Sequence, residues 1–161
     1  MTKTEKLTFI AEKIKGINTA ILVTCDAHGH LHGRPMGAKE MDENGDLWFL
    51  TSKDSKKVKD IEVYSQVGVM YGKSDTFPFV SISGTAVLMN DHEKIKELWN
   101  DVYKNIFSDE NDPNIILIKV TIVGAGYWDH AGGKIGAYLD LVESVLTGDE
   151  MSDVDGKMKI S

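Results

Sequence analysis

The sequence predicts a mainly β domain, a small six-stranded antiparallel barrel with a few peripheral helices. Three observations carry that expectation. Six apolar runs of strand length punctuate the 161 residues. Tight turn signals, His28-Gly29 and the stretch "DENGD" at 42–46, separate the first of these runs. Strands and helices also lack the strict alternation of a parallel sheet.

At the N-terminus, Leu7, Ile10, Ala11 and Ile14 recur at helical spacing within residues 3 to 15, and Gly16 stands where that helix would stop. "NTAILVTC" reads as a buried strand and "DAHGH" as a turn, followed by a second strand from about His30 to Met41. "LWFLTS" is the third strand, and three strands joined by two short turns predict a meander. A short helix, about Ser55 to Val63, would bury Val58 and Ile61, and "QVGVMYGK" and "FVSISGTAVLM" follow as strands. The longest helix is expected from Asp91 to Phe107, with Ile95, Leu98, Trp99, Val102, Tyr103 and Ile106 as its apolar positions. Asn90 with Glu93 resembles a capping box at its start. In the last strand, "NIILIKVTIVGAGYW", Gly124 and Gly126 suggest a bulge or a close backbone approach. An amphipathic segment, about Ile135 to Leu146, then leads into an acidic tail. The expected division is one domain over 1–148 and a flexible tail over 149–161.

Composition narrows the function classes. No apolar run approaches the roughly 20 residues of a membrane span, and the N-terminus lacks a signal-peptide pattern. The single cysteine, Cys25, excludes an internal disulfide framework and suits a reducing cytoplasm, the expected location. Cys25 falls in an apolar strand, where an inert buried thiol is expected. A net charge of −7 argues against a nucleic-acid partner. Residues 53–59 depart from that average, with four lysines against one aspartate. Lysines in the first turn of a helix oppose its dipole, which is better rationalised if an anion meets them together with the free backbone N–H groups. Thr51 and Ser52 would add hydroxyls at the preceding strand end.

Other candidates carry less. His30, His32 and Arg34 would share one strand face, half exposed with its polar groups outward. With His28 they raise a metal reading, which the neighbouring arginine and the lack of any Cys or carboxylate besides Asp26 to complete the set disfavour, so no metal is expected. Trp128 reads either as an aromatic capping the barrel end or as a platform for a flat ligand. No nucleophile elbow, P-loop or dinucleotide fingerprint occurs.

Arg34-Pro-Met-Gly-Ala-Lys39, then "WFLTSKDSKKVKDI", "FVSISGTA" and "GYWD", resemble the pyridoxamine 5'-phosphate oxidase-like proteins over about residues 5 to 146. Within that superfamily the chain is most similar to the bacterial general stress proteins. The resemblance implies a split β-barrel that forms a homodimer with FMN at the subunit interface, FAD being the other flavin to consider. By position, it implies that Arg34 contacts the flavin, that Pro35 and Met36 line the pocket, and that Leu50, Thr51 and Ser52 hold the flavin at a strand end. Lys56 and Lys57 match the pair that binds the FMN phosphate, and Trp128 matches the aromatic approaching from the partner subunit. Lys39 matches a lysine that meets a substrate phosphate. Two departures count against vitamin B6 oxidation. Phe79 stands where the authentic oxidases have glutamine, and Gly133-Lys-Ile-Gly136 replaces their Arg-x-His motif. Two functions then compete. One is an oxidoreductase exchanging electrons with small-molecule donors and acceptors, with no catalytic side chain assigned. The other is a flavin-binding stress protein that stores, senses or protects without turnover; a B6 oxidase or a metal or haem binder ranks below both.

Overall fold

Thr2 starts the first helix, α1 (Lys3–Ile14), through a reciprocal cap: its Oγ1 accepts from the Glu5 N–H at 3.2 Å while the Glu5 carboxylate accepts from the Thr2 N–H at 2.6 Å. In the computed structural model, which describes residues 1–72, 78–128 and 137–141, α1 buries Ile10 and Ile14. It ends before Gly16, whose φ of 77° is the left-handed conformation that glycine takes without steric cost.

Among the described residues seven strands follow: β1 (Thr19–Cys25), β2 (Leu31–Gly37), β3 (Asp46–Ser52), β4 (Gln66–Gly72), β5 (Phe79–Met89), β6 (Ile115–Trp128) and β7 (Ala137–Asp140). They build one antiparallel sheet in the order β2-β1-β4-β5-β6-β3, with β7 added to β6. This is the mainly antiparallel split-barrel architecture with peripheral helices, carrying one strand more than expected. β7 falls inside the amphipathic segment; most of that segment and the tail at 149–161 lie outside the described residues. The helices are α1, α2 (Lys56–Val63) and α3 (His92–Leu98).

The first three strands are not a meander. β1 and β2 form a hairpin, but β3 pairs with β6 at the opposite end of the sheet. The two end strands are covered differently: β3 is buried on both faces, with Leu47 and Phe49 on one and Leu50 on the other, whereas β2 is at best half covered along its open edge. Pro35, which cannot donate to a ladder, is tolerated there. The second strand also stops at Gly37; the Ala38 N–H still reaches Asn18 O at 2.8 Å, and the chain then crosses to the other edge.

The long helix is also broken. α3 ends at Leu98, and a 3-10 turn occupies Asp101–Asn105. Asn100 takes an extended conformation and its Oδ1 accepts from the Val102 N–H at 3.0 Å, so a side chain replaces the helical bond. Val102 and Ile106 consequently project into solvent. The cap at the start is Asp91, accepting from the Lys94 N–H at 3.2 Å, rather than Asn90.

The main core gathers α1, β1, β3, β4, β5 and β6 around Leu22, Phe49, Val69, Ile82 and Val120. A second cluster under α3 joins Leu50, Ile95, Leu98, Phe107, Ile115 and Leu117. The β5–β6 register shifts at Ser83/Gly84 opposite Gly124, so a bulge does occur in this glycine region. A Cβ on Gly84 would collide with Val120 and lie 2.9 Å from Thr121 O, part of the backbone. Gly84→Ala is therefore expected to lower the melting temperature by several degrees, about 1–3 kcal/mol of overpacking. An unchanged melting curve would contradict this packing.

Candidate functional site

The inward face of β1 continues from Ala20 and Leu22 to a hydroxyl, Thr24, which is buried to 1% exposure. Facing it from α2 is a carboxylate, Asp60, at 4%. The pair is bonded: Thr24 Oγ1 donates to Asp60 Oδ2 at 2.7 Å. Arg34, cross-strand from Leu22, completes the group. Its Nη1 donates to Thr24 Oγ1 at 2.6 Å and approaches Leu22 O at 3.4 Å, and its Nη2 lies 3.8 Å from Asp60 Oδ2. Burial pulls the Arg34 guanidinium down from its ordinary pKa, and the Asp60 charge partly restores it.

The start of α2 adds a second cation. Lys57 Nζ donates to Thr51 Oγ1 at 3.0 Å, and its ammonium is drawn below the ordinary lysine pKa by burial and by neighbouring Arg34. The first turn of α2 holds no acidic residue, and Ser55 at its N-cap makes no side-chain cap bond. The Ser55 hydroxyl is buried without a partner among the described residues. Backbone N–H groups of a first helical turn have no intrahelical acceptor. Two cations, an unused hydroxyl and a helix start thus converge on one place, a donor set suited to an oxyanion.

The histidines are organised by Asp26. Its carboxylate accepts from the backbone N–H groups of His28 and His30 at 2.9 Å each and contacts His32 Nε2 at 2.9 Å. Lys56 Nζ lies 4.0 Å from the same carboxylate. The hydrogen bond to His32, followed by that from the His30 N–H, holds Asp26 well below the usual carboxylate range. A depressed folded pKa stabilises above the unfolded value of about 3.9, and that contribution is lost as pH falls through the folded value. Asp26→Asn should therefore unfold with a shallower acid dependence than the wild type below that range. Identical acid curves would show that the Asp26 turn is not a stability element.

Of the residues singled out from sequence, Arg34, Thr51 and Lys57 are brought together, with Lys56 beside them. Arg34, His32 and Met36 occupy the covered side of β2, and Met36 packs on the main core; the expected outward polar face is thus reversed, because Asp60 and Asp26 draw it in. Pro35 falls on the opposite, exposed face. The Leu50 side chain is buried in the second cluster, leaving its main chain to face any ligand. Ser52 Oγ accepts from Asn114 Nδ2 at 2.7 Å. Lys39 is exposed beyond the end of β2, and His130 and residues 133–136 lie outside the described residues. Cys25 is half-buried rather than buried, because it ends β1 at the rim of a groove.

That groove, about 540 Å³, runs over the outer face of β1, β4, β5 and β6 between Val23, Cys25, Leu31, Met70, Ser81 and Trp128, and Thr24 borders it. Trp128 lies over Gly126, where a Cβ would come within 2.9 Å of the indole. Ile21, Met70 and Phe79 are also exposed on this sheet. Among the described residues no group of His, Cys, Asp and Glu could hold a metal ion, and no helix is long and apolar enough to cross a membrane. Sequence reasoning missed Thr24, Asp60 and Asn114, and weighed Asp26 only as the one carboxylate near the histidines. A hydroxyl at an inward strand position and a carboxylate on the Val58/Ile61 face of a short helix were the only signals for the first two.

Comparisons with known proteins bear on the family and the fold. The family model described as pyridoxamine 5'-phosphate oxidase like matches residues 5–153. Protein bli-3 of Neurospora crassa is 28% identical over 130 residues, which cover 74% of this chain and 62% of the relative, so the match spans under two thirds of that protein. The crystal structure of general stress protein 26 from Bacillus anthracis superposes with a TM-score of 0.71 at 26% identity, covering 84% of this chain and 98% of the other. A pyridoxamine 5'-phosphate oxidase-related, FMN binding protein from Nostoc punctiforme shares the fold, with a TM-score of 0.60 at 12% identity over 84% of this chain and 86% of that one.

Proposed function

Because this chain belongs to the pyridoxamine 5'-phosphate oxidase like family, we propose that it binds flavin mononucleotide, with the phosphate at the start of α2. One observation carries the reading. Arg34 and Lys57 are both partly buried and Arg34 disfavours the charge on Lys57, while the one buried carboxylate, Asp60, faces Arg34, so the pair of cations suits an added anion. Lys56 and the N–H groups of the first turn complete the phosphate contacts, and Thr51 and Ser52 border them. The Leu50 main chain and Met36 flank the remainder of the ligand, with Pro35 on the outer side of the same strand. The description of the Nostoc relative as FMN binding supports the choice of cofactor.

The protein acts as a homodimer in this reading. The exposed apolar residues Ile21, Met70 and Phe79 form a surface that a second copy would cover, and Trp128 of each copy would face the other's flavin. When bound, the flavin supplies electron transfer to and from small molecules, while the protein supplies position and charge. Once a second copy covers the groove, its walls Val23, Leu31, Met70 and Trp128 would exclude water, while Arg34 and Lys57 hold the anionic end. Mixing flavin-loaded protein with NADH or NADPH in the absence of oxygen tests for turnover. Bleaching of the flavin absorption supports the oxidoreductase. A flavin that neither donor reduces favours the binding protein without turnover.

A further inference from the structure

α2 buries a carboxylate, Asp60, beside Val58 and Ile61. Taking a carboxylate out of water is costly, and an apolar side chain of similar volume would pack as well or better. Its partners indicate another purpose. Asp60 Oδ2 accepts from Thr24 on β1 and lies close to Arg34 on β2. The single hydroxyl proton of Thr24 is committed to Asp60, which turns an oxygen lone pair toward Arg34 Nη1. One carboxylate thereby ties together the helix whose first turn bears Lys56 and Lys57, a central strand, and the edge strand bearing Arg34. Edge strand β2 is paired on one side only, and a long arginine side chain has much rotamer freedom to lose.

We propose that Thr24 and Asp60 are positioning residues for the anion site: they set the direction of the Arg34 guanidinium and its spacing from Lys57, and touch no phosphate themselves. The inference rests on the reading of this cluster as the FMN phosphate site. Charge and positioning predict opposite signs for one substitution. Asp60→Asn removes the carboxylate that faces Arg34 and Thr24, so on charge alone an anion would bind more tightly. With positioning lost, it binds more weakly.

Flavin fluorescence titrations of the wild type, Asp60→Asn, Thr24→Val and Thr24→Ser, each with FMN and with riboflavin, read the difference. FMN affinity should fall about tenfold in Asp60→Asn and Thr24→Val, the scale of one hydrogen bond to a charged group. Riboflavin affinity should hold, and Thr24→Ser, which keeps the hydroxyl, should behave as wild type. Thr24→Val preserves side-chain shape and decides the matter if Asp60→Asn does not fold. FMN affinity at or above wild type in either variant, or a loss shared equally by riboflavin, overturns the positioning role while leaving the phosphate site intact. A wild type that binds neither flavin overturns the phosphate site, and this inference with it.

Discussion

Replacing Lys56 and Lys57 together by alanine is expected to remove most of the preference for FMN over riboflavin, a loss on the order of 100-fold in FMN affinity if each contributes one charge-assisted contact. Riboflavin lacks the phosphate, so its binding should change little. The same double variant carries a second expectation. Lys57 is held near Arg34 in a half-buried position that disfavours its charge, and its removal relieves a like-charge contact. The ligand-free variant should therefore melt at or above the wild-type temperature, the usual signature of a group retained for binding at a cost in stability. Loss of both flavins in parallel, or a marked fall in the melting temperature of the ligand-free protein, would mean that these lysines support the fold instead.

Truncating Phe49 to alanine is the substitution expected to cost most in stability. Phe49 is 1% exposed on β3 and points into the main core, while its neighbour Thr51, on the same face, meets Lys57. Phe→Ala in a packed core costs about 3–5 kcal/mol, a large part of the roughly 5–15 kcal/mol available to a domain. Denaturant unfolding should show that loss in the absence of ligand. Because β3 also presents Thr51, saturating FMN should restore part of it by mass action. A loss below 1 kcal/mol would contradict a core that closes on β3.

Most strands could be read from period-two alternation bounded by glycine and polar turns, and β1, β4, β5 and β6 emerge close to their expected bounds. What could not be read was the partner of each strand. β3 follows β2 in sequence yet pairs with β6 at the far end of the sheet, because its two faces are covered by separate apolar clusters that local spacing does not reveal. The helix over 91–107 failed for a related reason. Its apolar spacing is helical, but Asn100 supplies a competing side-chain bond that breaks it. The basic cluster at 53–59 stood out in the sequence as the place proposed for an anion because four lysines contrast with an acidic chain. Its organisation was not. Thr24 and Asp60 are single polar residues in apolar surroundings, 36 positions apart, and only the docking of α2 against β1 gives them a common purpose.

Calorimetric titration of the wild-type protein with FMN and with riboflavin, side by side on one preparation, tests the phosphate site most directly. Saturable binding of FMN, tighter than that of riboflavin by at least about tenfold as charge-assisted contacts require, is the predicted result. Equal affinity for the two ligands, or binding of neither, would contradict it.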